Sequence, residues 1–389
     1  MDAAVYVKML HDVDFLNLRK MQYKYTKQQV SEMVMLLRQT EFKALPIQDF
    51  SGTPIVWLDP TTRIHMSAYH SLYAQVGKGQ AYSLEAMEDE IHSTLDIENI
   101  QSSRQSIRRI LNGQAPANDE ENRIYGMKKG LEYIADPSHP ITEENIHTLY
   151  MLAVGNFLSE NDRLKPGQKY RYDDVFVVGD KIEHQGLPFH KVPLYMKKLV
   201  DFIHEASTMN DFLKAAAIHF DLAYLHPYFD GNGRMARMLH LWYLVQKGYP
   251  AALFIPLSSY VNQSRNKYYR AYTITEENQK ISGVLDITPF LVYFIENVYN
   301  HIKPKSAPLK TIECYQEALS KGFITEKEKD LFNFILSAYT DREFSTKQLE
   351  KDFNSAAYAT IYHFVHKFMK IGLLDSQKYG NRIKYRLKK

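Results

Sequence analysis

Apolar residues recur every three to four positions through most of this chain, the spacing of helices that bury one face. The pattern predicts helices at residues 27–38, 83–111, 120–134, 143–156, 192–205 and 210–225, and another from just after Gly233 to Lys247. Shorter helical stretches fall at 268–272 and 287–301. Ser83 is a cap for the second of these, with Glu85 and Glu88 in its first turns, while Asn112, Gly113 and Pro116 stop it. Residues 58–63, rich in Pro, Asp and Thr, break the first eighty. Between Lys165 and Lys191 the period changes. Pro166-Gly167 precedes a β-rich run at 170–178, then Gly179-Asp180 and a second extended piece to Pro188, which reads as a hairpin bent at glycine. Residues 303–308 carry two prolines and form a linker. Beyond it come helices at 327–339, 346–353 and 356–371, then extended pieces at 373–375 and 383–387 around Gly380-Asn381. Three helices followed by a hairpin spell a winged helix.

The expected fold is therefore mainly α. An N-terminal helical region (1–112) precedes a helical core with a β-hairpin flap (113–302), a linker (303–308) and a small α+β, winged-helix-like unit (309–389). A length of 389 residues suits two or three such units. Hydrophobic residues at 45% and charged residues at 24% exclude a disordered, collagenous or fibrous chain. The single cysteine, Cys314, excludes an internal disulfide and a cysteine-based zinc site. The opening MDAAVYVKML is no basic-then-apolar leader, and no apolar run approaches the ~18 residues of a membrane span, so a cytoplasmic protein without membrane contact is expected. The net charge of +3 is too small to signal nucleic-acid binding overall. It is unevenly spread: residues 341–389 hold eleven Lys or Arg against five Asp or Glu.

Chemistry concentrates in residues 226–237, HPYFDGNGRMAR. Gly231 and Gly233 flank Asn232 and let successive backbone N–H groups turn inward as an anion-binding nest. The loop opens a helix, whose N-terminus adds free N–H groups and a positive dipole end. Arg234 and Arg237, three residues apart, project from neighbouring points of one helix face and suit a di- or triphosphate. Asp230 is a hard oxygen ligand placed where Mg²⁺ bridges phosphates, and His226 is a general-base candidate at neutral pH. The set fits phosphoryl or nucleotidyl transfer.

This string resembles the Fic-domain signature HxFx(D/E)GNGRxxR at every position but one, since Tyr228 stands where Phe is usual. The resemblance runs from about Asn145 to Val298 and takes in the PG-x-x-YR segment at 166–171, the flap, Leu253-Phe254-Ile255-Pro256 and Tyr268-Tyr269. It implies a Fic-type helical core and a protein adenylyltransferase, which moves AMP from ATP to a Ser, Thr or Tyr hydroxyl of a target protein. It implies His226 as base, Asp230 on Mg²⁺, and Asn232 with the Gly231–Gly233 N–H groups on the α- and β-phosphates. Arg234 falls to the β-phosphate and Arg237 to the γ-phosphate. Tyr269 is placed near the adenine, and the Asn that some members carry a few residues later has no clear match.

Upstream, Thr94-Leu95-Asp96-Ile97-Glu98-Asn99 resembles the family's inhibitory motif (S/T)xxxE(G/N). By that likeness Glu98 pairs with Arg237, takes the place of the γ-phosphate and holds the enzyme back. In related enzymes the same Glu positions water to remove AMP, with the His as general acid. The flap, with Val178 and Gly179 at its bend, is implied to pair with an extended piece of the target as an added strand. In the C-terminal unit Ser355, Tyr358, Tyr362, His363 and His366 make an aromatic rather than arginine-rich helix face, and the basic wing at 378–389 could touch DNA phosphates. A DNA-binding regulator with a nucleotide-sensing core is the competing reading, and another phosphate-containing donor the competing chemistry. A homo-oligomer that buries the inhibitory helix is compatible with the sequence.

Overall fold

The structure, a computed structural model, describes residues 1–73, 84–178, 182–302, 314–315, 317–319, 321–339, 343–353, 356–380 and 382–388. Helices dominate. The N-terminal α1 (Ala3–Leu10), α2 (Leu18–Lys24) and α3 (Lys27–Thr40) are capped by Asp2, Asn17 and Thr26, the last in a capping box with Gln29. A hairpin follows, β1 (Lys43–Gln48) against β2 (Pro54–Trp57). Sequence patterning missed it because Pro46 and Pro54 punctuate its short strands.

Next come α4 (Met66–Tyr73), α5 (Leu84–Ile97), α6 (Arg104–Leu111), α7 (Asp119–Ala135) and α8 (Glu143–Ala153). The helix expected over 83–111 is in fact two, and its proposed cap Ser83 lies outside the described residues. Asn99 adopts a left-handed φ of 56°, and the Ile100 N–H reaches back to the Leu95 carbonyl at 2.9 Å, which terminates α5. Ser103 then caps α6. The β-run expected from 170 narrows to β3 (Phe176–Val178), paired antiparallel with β4 (Ile182–Gln185). Gly179 at the bend lies outside the described residues.

The centre of the molecule is an antiparallel pair, α10 (Asp211–Leu225) and α11 (Asn232–Gln246), preceded by α9 (Val192–His204). Both partners are buried along nearly their whole length. Around them pack α12 (Leu257–Gln263), α13 (Arg265–Ser282) and α14 (Thr288–Asn297). The stretch expected to be helical at 268–272 is the middle of this much longer α13. A single hydrophobic core extends from Leu45 to Ile302, so side chains on both sides of position 112 share it. A satellite core joins Met9, Met21, Val30 and Met33 to Leu58 and Val284.

The C-terminal unit has its own core, from Tyr315 to Leu387. Its helices α15 (Glu326–Ala338), α16 (Thr346–Phe353) and α17 (Tyr358–Lys370) lead into the hairpin β5 (Leu374–Tyr379) and β6 (Arg382–Leu387). Phe344 bridges to Tyr385 and extends that sheet. Helices and hairpin follow one another in the order expected from the sequence. Ser355 lies outside the described residues. Among the described residues no helix is long and apolar enough to cross a membrane.

Candidate active site

The turn between α10 and α11 gathers the polar residues of the 226–237 string. His226 closes α10 in the left-handed region, at φ 53° and ψ 60°, and Pro227 prevents the helix from continuing. Among the described residues only Asn99 and His226 are non-glycine residues with positive φ. Such conformations persist where the surroundings over-determine them. For His226 the surroundings are Arg171. Its guanidinium is fully buried, and Nε donates to the His226 carbonyl at 2.7 Å, Nη1 to Asp173 O at 2.7 Å and Nη2 to Leu187 O. Its backbone N–H donates to Pro227 O at 3.0 Å. In the sequence Arg171 is only the last residue of the PG-x-x-YR segment, yet it ties the base of the flap to His226. Arg171→Ala is expected to lower the unfolding free energy by about 3–5 kcal/mol, because three carbonyls lose a charged donor. Denaturant titration measures this.

The His226 ring places Nδ1 3.3 Å from the Ala223 carbonyl. A carbonyl only accepts, so Nδ1 carries the proton in that contact and the lone pair falls to Nε2. Tyr228 is fully buried and stacks on Tyr150, centroids 3.7 Å apart and rings 5° from parallel. The larger ring in place of Phe is therefore absorbed in the core. Burial pushes both phenol pKa values up.

Asn232 is buried, with Oδ1 accepting the Tyr228 N–H and Nδ2 donating to the Tyr228 carbonyl, both at 2.9 Å. Its carboxamide shapes the loop, so what remains for a phosphate is its backbone N–H. Gly231 caps α11 at φ 86°, where an added Cβ would lie 2.5 Å from Val154 Cγ1. Asp230 is about half exposed at the mouth of this nest. Its Oδ1 accepts the Gly231 N–H at 2.5 Å and its Oδ2 meets Arg234 Nη2 at 2.8 Å.

Arg237 lies deeper, only 1% exposed, and points at the end of α5. Nε donates to Thr94 Oγ1 at 2.8 Å, and Nη2 to the Thr94 carbonyl at 3.1 Å and to Glu98 Oε1 at 2.6 Å. Burial alone would push the guanidinium pKa down, but the Glu98 carboxylate together with Tyr268 and Tyr269 more than offsets it. The same carboxylate leans over Gly233, where an added Cβ would stand 2.3 Å from Glu98 Oε1. Glu98 thus sits against the positive end of α11. Arg237 Nη1 and Arg234 Nε have no hydrogen-bond partner among the described residues, the signature of donors awaiting an acceptor-rich ligand. Tyr269 reaches the scene from α13, its hydroxyl 3.3 Å from the Ile97 carbonyl. Arg265 also grips the end of α5, through Asp96 O and Asn99 Oδ1, and Asn262 holds the Asp96 carboxylate at 2.7 Å. Neither residue carried a sequence signal, since both fall in one polar stretch, residues 262–267, where α12 ends and α13 begins.

A sequence model of the Fic/DOC family matches residues 140–244, from just before α8 to within α11. That segment is similar to the Fic/DOC family. Among curated relatives it is 28% identical over 240 residues to the protein adenylyltransferase Fic of Drosophila ananassae, covering 59% of this chain and 43% of that one. It is 30% identical over 183 residues to the Drosophila yakuba protein of the same name, covering 46% and 32%. The chain thus spans less than half the length of these two relatives. Solved structures with some likeness include a Fic family protein from Desulfovibrio desulfuricans, at 17% identity and TM-score 0.49 over 85% of this chain and 98% of that one. A Fic-domain signaling protein from Bacteroides thetaiotaomicron has 18% identity and the same TM-score over 60% and 92%. Within the matched segment the structure brings His226, Asp230, Asn232, Arg234 and Arg237 to one turn. Thr94 in α5 and Glu98 just past its end reach that turn from outside the matched segment.

Proposed function

We propose that this Fic-domain protein is an autoinhibited adenylyltransferase, transferring AMP from ATP to a hydroxyl of a target protein. The observation that carries the reading is the arrangement around the first turn of α11. One base, one carboxylate and two arginines with unpartnered buried donors surround it, and Glu98 leans on its positive end. The triphosphate lies along the Asn232 and Gly233 N–H groups, with Arg234 and Arg237 on its β- and γ-oxygens. Tyr269 stands beside the adenine. Asp230, half exposed at the nest mouth, fits Mg²⁺, which favours one or two carboxylates plus phosphate oxygens and supplies charge neutralisation.

The target hydroxyl oxygen bonds to the α-phosphorus as the bridging P–O bond to the β-phosphate breaks. Pyrophosphate leaves, and the hydroxyl proton passes to His226 Nε2. The β3–β4 flap, rooted beside His226, offers backbone pairing to an extended target segment. Thr94 and Glu98 are the brake: while the carboxylate holds Arg237 the γ-phosphate lacks its guanidinium. Hydrolytic removal of AMP is a second reaction these residues suit: water held by Glu98 attacks the phosphorus, the bond to the target oxygen breaks, AMP leaves, and His226 returns a proton to the freed hydroxyl.

The test uses the Glu98→Gly protein with Mg²⁺ and ATP labelled at either the α- or the γ-phosphate. Label is expected on protein from the α-position alone. Label from the γ-position alone would mean phosphotransfer and overturn the reading. In the same background Arg171→Lys is expected to slow transfer while leaving the ATP dissociation constant unchanged, because Arg171 places His226 and not the nest.

A further inference from the structure

Glu90, Thr94 and Glu98 are spaced four residues apart, so the first two share one face of α5 and the third continues that line just past the helix end. Thr94 and Glu98 meet Arg237. Glu90 meets a different helix. It is 2% exposed, its Oε2 accepts the Ser258 backbone N–H at 2.8 Å, and its Oε1 accepts from the Ser258 hydroxyl. Ser258, fully buried, is the second residue of α12, whose N-cap Pro256 supplies no side-chain hydrogen bond. Near the other end of α12, Asn262 donates to the Asp96 carboxylate. The two contacts follow the same order along both helices, so α12 runs beside α5 in the same direction, toward Glu98.

Stability alone does not account for a carboxyl group at position 90. Among the described residues both of its hydrogen-bond partners belong to Ser258, and neither is a cation. Burial pushes the Glu90 pKa up, and the Ser258 contacts with the Arg237 charge offset only part of this. A carboxyl group desolvated in this way adds little net stability, but its hydrogen bonds require one axial position. The rest of the buried face of α5 has no such requirement. Ala86, Met87, Ile91, Leu95 and Ile97 are apolar, and apolar burial is not directional. An axial drift of about 1.5 Å, the rise of one residue, exceeds the tolerance of a hydrogen bond such as that between Glu98 and Arg237.

We propose that Glu90 and Ser258 are positioning residues that fix α5 in the register from which Glu98 engages Arg237. The regulatory consequence rests on Glu98 acting as the brake proposed above, whereas the register itself does not. Loss of the Glu90–Ser258 contact frees α5 to shift against α12, and Arg237 loses its carboxylate for part of the time. Glu90 and Ser258 touch neither the nest nor His226, so they act on transfer only through Glu98.

Hydrogen exchange of the full chain without nucleotide reads the register. In Glu90→Leu the amides of residues 94–100 are expected to exchange about tenfold faster than in the parent, and in Ser258→Ala by a smaller factor. Glu90→Gln, which can accept the Ser258 N–H and donate to its hydroxyl, is expected to keep the parent rate. Ser258→Ala removes one hydroxyl only and carries the test where Glu90→Leu does not fold. Parent rates in every folded variant would overturn the register. Transfer of α-phosphate label reads the coupling. Ser258→Ala is expected to raise incorporation about fivefold in the parent background and to change nothing in the Glu98→Gly background, because the two positions act in series. A merely structural defect lowers the rate in both. Equal acceleration in both backgrounds, or none in the parent, would overturn the coupling to Glu98. A Glu98→Gly protein that transfers no label overturns the transfer reading instead, and the exchange rates then decide the register by themselves.

Discussion

The Glu98→Gly protein is expected to incorporate α-phosphate label about 10- to 100-fold faster than the parent at saturating MgATP. The estimate comes from the contact removed. A charge-assisted hydrogen bond contributes about 1.5–3 kcal/mol, and each 1.4 kcal/mol is about a factor of ten. The Glu98 side chain is 30% exposed and Arg237 1%, so the pair is neither free in water nor fully desolvated. A second effect accompanies the first. Arg237 stays buried after its carboxylate is gone, with only Thr94 to accept from it. Removing one member of a buried pair is destabilising, and the Glu98→Gly protein is expected to lose about 1–3 kcal/mol of stability. ATP, which supplies the missing anion, should restore the melting temperature by mass action. Calorimetry with and without nucleotide reads this directly. Equal transfer rates for parent and variant would overturn Glu98 as the brake.

Replacing the base has the larger effect. In the Glu98→Gly background His226→Asn is expected to lower the transfer rate by about 10²–10⁴ while leaving ATP affinity nearly unchanged. Asparagine is the informative choice, because position 226 has φ 53° and Asn tolerates the left-handed region that Ala resists. A slow His226→Asn protein with normal ATP binding isolates proton transfer from loop geometry. A variant that retained the starting rate would remove His226 from the chemistry.

The candidate active-site turn was legible in the sequence because its residues are contiguous. Glycine spacing, arginine spacing and a terminal histidine all read from twelve adjacent positions. Glu98 was legible by resemblance alone, although Asn99 carried a physical signal that patterning overlooked. An Asn after a helical run is a stop, and reading it so would have ended α5 where the structure ends it. The roles of Arg171 and Asn232 were not readable, because each depends on partners that only the fold supplies. Arg171 reaches carbonyls 16 and 55 residues away, and Asn232 turns back on Tyr228 instead of facing the nest opening. The hairpin β1–β2 escaped for a different reason: its two prolines mimic loop, and its pairing depends on packing against the rest of the core.

The flap is fastened at its root. Gly186 N–H bonds to Val175 O at 3.1 Å, Leu187 N–H to Leu225 O at 3.3 Å, and Arg171 joins Leu187 to His226. The edge proposed to receive a target and the histidine beside it are therefore fastened to one another. A strand added to that edge alternates its side chains between two faces, so only every second residue can face the ring. A slip of one position carries an aligned hydroxyl to the wrong side, and a slip of two offers its neighbour but one. Choice of the modified residue then becomes a question of parity. Lengthening the flap by two residues should move the acceptor along the target, whereas lengthening it by one should silence it.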